Sequence, residues 1–344
     1  MPTAKKITIT ADEAKQRLDV FLSAKLKITR SQVQKMIANG RILLNGQPPK
    51  KTGEQLSTGD QINIQYQISN IKKQSKRDSS TLPTKSGSVG MTVVTATPDY
   101  IVIDKPTDLL THPTIKNEPN AVSKILEKKY PEIKKIKDDF PFTPAPQGKK
   151  RVKKVAPPDY NRPGIVHRLD KEASGLLVVA RTQLMFENLK QQFQNHTIEK
   201  EYLVLVHGRV AKDWGEINFP IARSDSYDRM AAIPQTEKGF NTEKGKNAAT
   251  EFLVEKRFVN FTLLRVIIHT GRTHQIRAHM LAYNHPVVGD PIYNQKKRKH
   301  VWDEKCGRLF LHCSKLAFTD LKGKKQEFEA PTPKELADFL KIIK

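Results

Sequence analysis

Cysteine is nearly missing from this 344-residue chain: Cys306 and Cys313 are the only two. Two thiols cannot make a disulfide framework, and their scarcity fits a reducing compartment. No run of about 18 apolar residues occurs, which excludes a membrane-spanning helix. The segment from Met1 to Thr10 lacks the apolar core of a secretory signal. A cytoplasmic location is expected from these absences. Cofactor fingerprints are missing too. There is no G-x-G-x-x-G after a strand, no P-loop, no H-E-x-x-H and no paired C-x-x-C. Neither a cofactor nor a metal is expected. Acidic residues are also short: 36 Asp and Glu face 60 Lys and Arg, a formal charge of +24. The pI is about 9.8. Such an excess favours a polyanionic partner; a lysine-rich solvated surface would give the same number.

Three compositional breaks divide what is present. Residues 1–68 are densely patterned. Residues 69–90 are polar, basic and rich in Ser, Thr and Gly, which reads as a flexible linker. Residues 91–344 are dense again, except for a proline- and lysine-rich stretch at about 133–162. That stretch reads as a basic surface insertion without a packed core.

The first segment predicts two helices and two strands. Thr10 with Glu13 forms a capping-box pattern opening a helix, and Leu18, Phe21 and Leu22 share one face. Thr29 with Gln32 caps a second helix with an apolar face of Val33, Met36 and Ile37, and Gly40 stops it. Ile42 to Leu44 is a short strand leading into an Asn45-Gly46 turn. After a second turn at Gly59-Asp60, Ile62, Ile64 and Tyr66 alternate as a strand. Arg17, Arg30, Lys35 and Arg41 stand on the polar sides, with Lys15, Lys25 and Lys27. They suit either phosphate contact or simple solvation. The run Arg17-Leu18-Asp19, then Thr29 to Gln32, then Ile37 to Gly46 resembles the S4-type RNA-binding domain over about 50 residues. The resemblance implies a small α/β module that binds structured RNA through shape and backbone.

The sharpest element of the remainder runs from Arg162 to Ala180. Leu176 to Ala180 is continuously apolar and reads as a buried strand. His167, Arg168, Asp170, Ser174 and Gly175 precede it. A carboxylate and an arginine before a buried strand can line a cleft, although an aspartate there more often caps a turn. Downstream, Thr182 caps a helix whose buried face is Phe186, Leu189 and Phe193. Tyr202 to Val206 and Phe261 to His269 read as strands. Thr270 to Arg272 is a turn, and Thr273 caps a helix carrying His274, Arg277 and His279. This basic cluster suits phosphate or water binding.

Taken together, these segments resemble the RluA-type pseudouridine synthases. His167-Arg168-Leu169-Asp170 with Ser174-Gly175-Leu176-Leu177 is similar to that family's catalytic motif. Lys200 to Leu203 is similar to its tyrosine motif, and Thr270 to Arg277 to its arginine motif. Gly289-Asp290-Pro291 and Arg308 to His312 follow in the family's order. The family usually has threonine where this chain has Ala173. The resemblance implies an α+β fold, a mainly antiparallel mixed sheet with helices around it. It implies that Asp170 is the catalytic aspartate and Arg277 its salt-bridge partner. Tyr202 then stacks on the target base and takes the proton from carbon 5. Arg168 fills the RNA stack, with His167, Arg272 and His274 as further RNA contacts. The implied partner is RNA, above all 23S ribosomal RNA or a pre-ribosomal particle, bound by a monomer with no cofactor.

Elementary chemistry fits these residue types. A uridine inside a stack cannot react and must be extruded. A carboxylate can then act as a nucleophile or assist proton movement. Burial beneath a base opposes a carboxylate's charge, and an adjacent arginine supports it. Two further RNA readings stay open at this level: a transfer-RNA synthase, and a non-catalytic ribosome-assembly factor. A nuclease or other hydrolase fits less well without a metal-ligand pattern.

Overall fold

The computed structural model describes residues 5–26, 30–38, 40–64, 80–82, 90–114, 118–138, 162–224, 229–233, 245–293 and 301–343. Most of the expected linker and residues 139–161 of the expected insertion lie outside them, as does the Lys35 side chain. The chain separates into two compact units, residues 1–75 with 210–215, and the rest.

In the first unit, β1 (Lys5–Thr8) pairs antiparallel with β3 (Gln61–Ile64), which pairs antiparallel with β2 (Ile42–Leu44). The β1 strand was not anticipated from the sequence. The Thr10–Glu13 pattern closes only a 3-10 turn, Ala11–Glu13, with the Thr10 N–H donating to Glu13 Oε2 at 3.2 Å. Lys15 then takes a left-handed φ of 65°, which ends the turn, and the helix α1 spans Leu18–Leu26. It buries Leu18, Phe21, Leu22 and Leu26 against Val33, Met36 and Ile37 of α2 (Arg30–Ala38), a face set by the 3.6-residue period. Asn45 and Gly46 have φ of 52° and 82°, as a tight hairpin turn demands.

The second unit is built on one large sheet. The first strands are β4 (Ser80–Leu82), β5 (Met91–Ala96) and β6 (Tyr100–Lys105). The first of these falls inside the segment expected to be a linker. Helix α3 (Val122–Lys129) follows, then a 3-10 turn at Pro131–Lys135. Ile133 and Ile136 are buried there, so the start of the expected insertion is packed. Next come β7 (Ser174–Ala180), α4 (Gln183–Gln194) and β8 (Glu199–His207). The short strands β9 (Trp214–Ile217), β10 (Ile221–Arg223) and β11 (Met230–Ala232) precede β12 (Thr250–Arg257) and β13 (Phe261–Ile268). The chain ends with α5 (Gln275–Ala282), α6 (Val301–Cys306), β14 (Leu311–Thr319), β15 (Lys325–Glu329) and α7 (Lys334–Ile342).

The strands of this sheet follow the order β4-β5-β6-β7-β14-β8-β13-β12, with β15 paired to β14, and neighbours along it are antiparallel except β7 and β14, which run parallel. All of β7 is buried, the expected fate of an unbroken apolar strand. The parallel pairing brings its start against β14 so closely that a Cβ on Gly175 would lie 2.3 Å from the Cys313 carbonyl oxygen. Gly175 also has φ of 116°, so glycine is required twice over. Thr182 caps α4 through its hydroxyl, which accepts from the Met185 N–H at 3.3 Å.

Candidate active site

Asp170 lies on the loop that enters β7. A turn closes behind it, with the Ala173 N–H donating to the Asp170 carbonyl at 3.2 Å. Its side chain borders an open cleft shared with Arg168, Tyr202, Arg272, His274 and Leu311.

Arg277 is fully buried on α5 and gathers three carboxylates. Its Nε and Nη2 donate to Asp290 Oδ2 and Oδ1 at 2.7 and 2.8 Å, the two-pronged geometry of a guanidinium–carboxylate pair. Its Nη1 donates to Asp170 Oδ2 and to Glu172 Oε2, both at 3.2 Å. Burial works against the charge, but the Asp290 hydrogen bonds, then Asp170 and Glu172, outweigh it and hold the guanidinium above its usual value. The pairing with Asp170 therefore exists, but the fork itself grips Asp290. The ring of Tyr293 supports the same guanidinium at 5.2 Å.

Tyr202 comes from β8, where it stands opposite Cys313 of β14. Burial pushes its hydroxyl well above the ordinary tyrosine range, and Cys313 and Asp170 push the same way. Helix α5 starts at Gln275 rather than at a Thr273 cap. His274 precedes it with a left-handed φ of 51°, and no side chain caps the helix. That twist carries the His274 ring to Tyr293, with Nδ1 3.2 Å from the hydroxyl. Burial lowers the His274 pKa, Asp170 opposing and Arg277 adding to the effect. Arg272 donates from Nε to the Asn247 carbonyl at 3.1 Å.

Arg168 is exposed at the cleft. His167, one residue earlier, turns inward: its Nε2 accepts the Val178 N–H at 3.0 Å and its ring stacks on Phe193. Burial, with Lys200 adding, pushes its pKa down to about 3. In the first unit, Arg17 and Arg30 are half-exposed and converge on Asp19. Arg17 Nε donates to Oδ1 at 3.0 Å and Arg30 Nη2 to Oδ2 at 3.0 Å. Arg41 is half-buried beside β2.

Reading the residues singly missed several members of this site. Glu172 is hidden as one of two ordinary charged positions after Asp170. Lys105 is the more legible case, a lysine ending an apolar strand. It is fully buried, and burial brings its pKa to about 7 while Asp170 opposes.

A family model described as RNA pseudouridylate synthase matches residues 99–282, and an S4 domain model matches residues 16–62. The uncharacterized RNA pseudouridine synthase YlyB of Bacillus subtilis (strain 168) is 30% identical, covering 98% of this chain and 97% of that protein. A ribosomal large subunit pseudouridine synthase D of Escherichia coli (strain K12) is 29% identical, covering 98% and 93%. Among solved structures, human RNA pseudouridylate synthase domain containing 4 shares the fold with a TM-score of 0.52 at 19% identity, covering 72% of this chain and 91% of that one. With Asp170 inside the matched span and an S4 domain ahead of it, this chain belongs to the RNA pseudouridylate synthase family and isomerises uridine in RNA.

Proposed function

We propose that this enzyme modifies uridine in large-subunit (23S) ribosomal RNA, free or in a pre-ribosomal particle, with Asp170 as the reactive carboxylate. The observation that carries the site is the contact of Asp170 with the buried guanidinium of Arg277 at the edge of an open cleft that Tyr202 also lines. The substrate reading is supported by the names of relatives that match over nearly the whole chain.

The reaction breaks the bond between C1′ and N1 of uracil, turns the base and joins C1′ to C5. The C5 proton leaves and N1 gains one, so atoms balance without a group donor. Asp170 drives the rearrangement, as a nucleophile or by moving a proton at the sugar. Arg277 holds the carboxylate in place as the base displaces water. The Tyr202 ring is the platform for the flipped base. A hydroxyl held protonated by burial favours that role over accepting the C5 proton. Arg168 is the exposed cation that fills the emptied stack, and Arg272 and His274 border the entering nucleotide. The inward ring of His167 favours a supporting role over an RNA contact. Arg17, Arg30, Lys35 and Arg41 of the S4 domain contact phosphates and orient the RNA. The buried thiols of Cys306 and Cys313 suit a reducing cytoplasm.

The test is pseudouridine mapping of total RNA from cells lacking the protein and from cells carrying Asp170→Ala. At least one 23S site should disappear in both. A site lost from transfer RNA instead would overturn the substrate and leave the reaction standing. No lost site in either strain would overturn both.

A further inference from the structure

Asp170 is held by more than its arginine. The backbone groups on both sides of it are tied to the end of β6 and the segment that follows it. Thr111 is buried, and its hydroxyl does two things to Leu169, the residue before Asp170. It donates to the Leu169 carbonyl at 3.0 Å and accepts the Leu169 N–H at 3.3 Å. On the other side, Lys105 Nζ donates to the Lys171 carbonyl at 3.2 Å, and the Thr107 hydroxyl donates to the Glu172 carbonyl at 2.7 Å. The segment is itself anchored. Lys105 Nζ donates to the Leu109 carbonyl at 2.9 Å. The first amides of α3, Val122 and Ser123, donate to the carbonyls of Leu110 and Thr111 at 2.8 and 3.1 Å.

We infer that Thr111 is a positioning residue for the uridine isomerisation: its hydroxyl sets the backbone at Leu169 and thereby aims the Asp170 carboxylate into the cleft. Three arguments converge on it. Leu169 is buried, so no water replaces the lost partner for its N–H and carbonyl. A hydroxyl is the one small group that can donate and accept at once. And Arg277 touches Asp170 through a single nitrogen, which fixes one oxygen but not the backbone that carries it. The inference rests on Asp170 as the reactive carboxylate.

Thr111→Val keeps the shape and removes the hydroxyl, and Thr111→Ser restores it. Each is compared with the parent in single-turnover release of tritium from [5-³H]uridine-labelled 23S RNA, taken from cells lacking the enzyme. RNA affinity and thermal melting are followed alongside. A misplacement of about 1 Å lowers turnover by about 10²-fold, so Thr111→Val should lose roughly 10- to 100-fold in the chemical rate at unchanged RNA affinity. Thr111→Ser should recover most of it. A Val variant as fast as the parent overturns the inference, and so does a Ser variant as slow as Val. If Thr111→Val does not fold, Thr107→Val, which frees the Glu172 carbonyl, is read against Thr107→Ser by the same criteria. Asp170→Ala is the separate control: its retained turnover would sink the carboxylate reading itself, whereas an active Thr111→Val leaves that reading intact.

Discussion

Replacing Arg277 by lysine tests the centre of the site. The wild-type guanidinium makes four hydrogen bonds to three carboxylates, two on Asp290 and one each on Asp170 and Glu172. Lysine keeps the positive charge and so avoids the ~3–5 kcal/mol cost of stripping a buried ion pair. Its single ammonium cannot span Asp290 on one side and the other two carboxylates on the other. Losing two charge-assisted hydrogen bonds at ~1.5–3 kcal/mol each costs about 3–6 kcal/mol. Against a usual stability of ~5–15 kcal/mol, the variant should fold but melt lower. The ammonium should remain with Asp290, whose side chain is wholly excluded from water, and leave Asp170, which is 14% exposed and can be hydrated. A carboxylate released by about 1 Å implies a loss of about 10²-fold in turnover. RNA affinity should be unchanged, because the guanidinium faces no solvent. Single-turnover tritium release, thermal melting and a filter-binding titration read the three quantities separately. Turnover within about threefold of the parent, or affinity falling in step with turnover, would refute the reasoning.

Four further outcomes follow. Gly175→Ala forces a side chain onto the Cys313 carbonyl at a positive φ, adding ~1–3 kcal/mol of backbone strain to ~1–3 kcal/mol of overpacking, which urea unfolding should register. Arg17, then Arg30 and Gln34, hold the Asp19 carboxyl well below the ordinary carboxylate range, burial opposing. A depressed folded-state value contributes stability that is complete above about pH 4 and fades as the pH falls below it. The melting difference between the parent and Asp19→Asn should therefore shrink on acidification, and a constant difference would contradict the pairing. Arg30→Ala should weaken binding across RNA sequences and reduce the slope of log affinity against log salt by about 1. Asp290→Asn, which leaves the Arg277 fork facing a neutral amide, should lower melting and turnover together; an unchanged enzyme would mean that the fork is dispensable.

Local order was readable from the chain alone wherever one rule governs one segment. The apolar period of α1 and α2, the Asn45-Gly46 turn, the Thr182 cap and the unbroken apolar run of β7 each depend on neighbours within a few residues. That Asp170, Tyr202 and Arg277 come together was legible for a different reason. Each sits in a motif, and the motifs follow one another in a recognisable order.

Tertiary structure decided what those residues touch. Asp290 lies 13 positions from Arg277 in sequence, yet takes its fork; Asp170, 107 positions away, takes one nitrogen. Thr111 reaches Leu169 across 58 positions, a contact no periodicity encodes. The Thr10 capping box was correctly read as a pattern but closes only a turn, because the Lys15 N–H is drawn to the Leu56 carbonyl, a partner far along the chain. Propensity acts within a few residues. The aim of a carboxylate depends on hydrogen bonds that exist only after β6, β7 and α5 have come together. Sequence by itself determined which residues this enzyme has to work with, and packing decided which of them hold Asp170 in place.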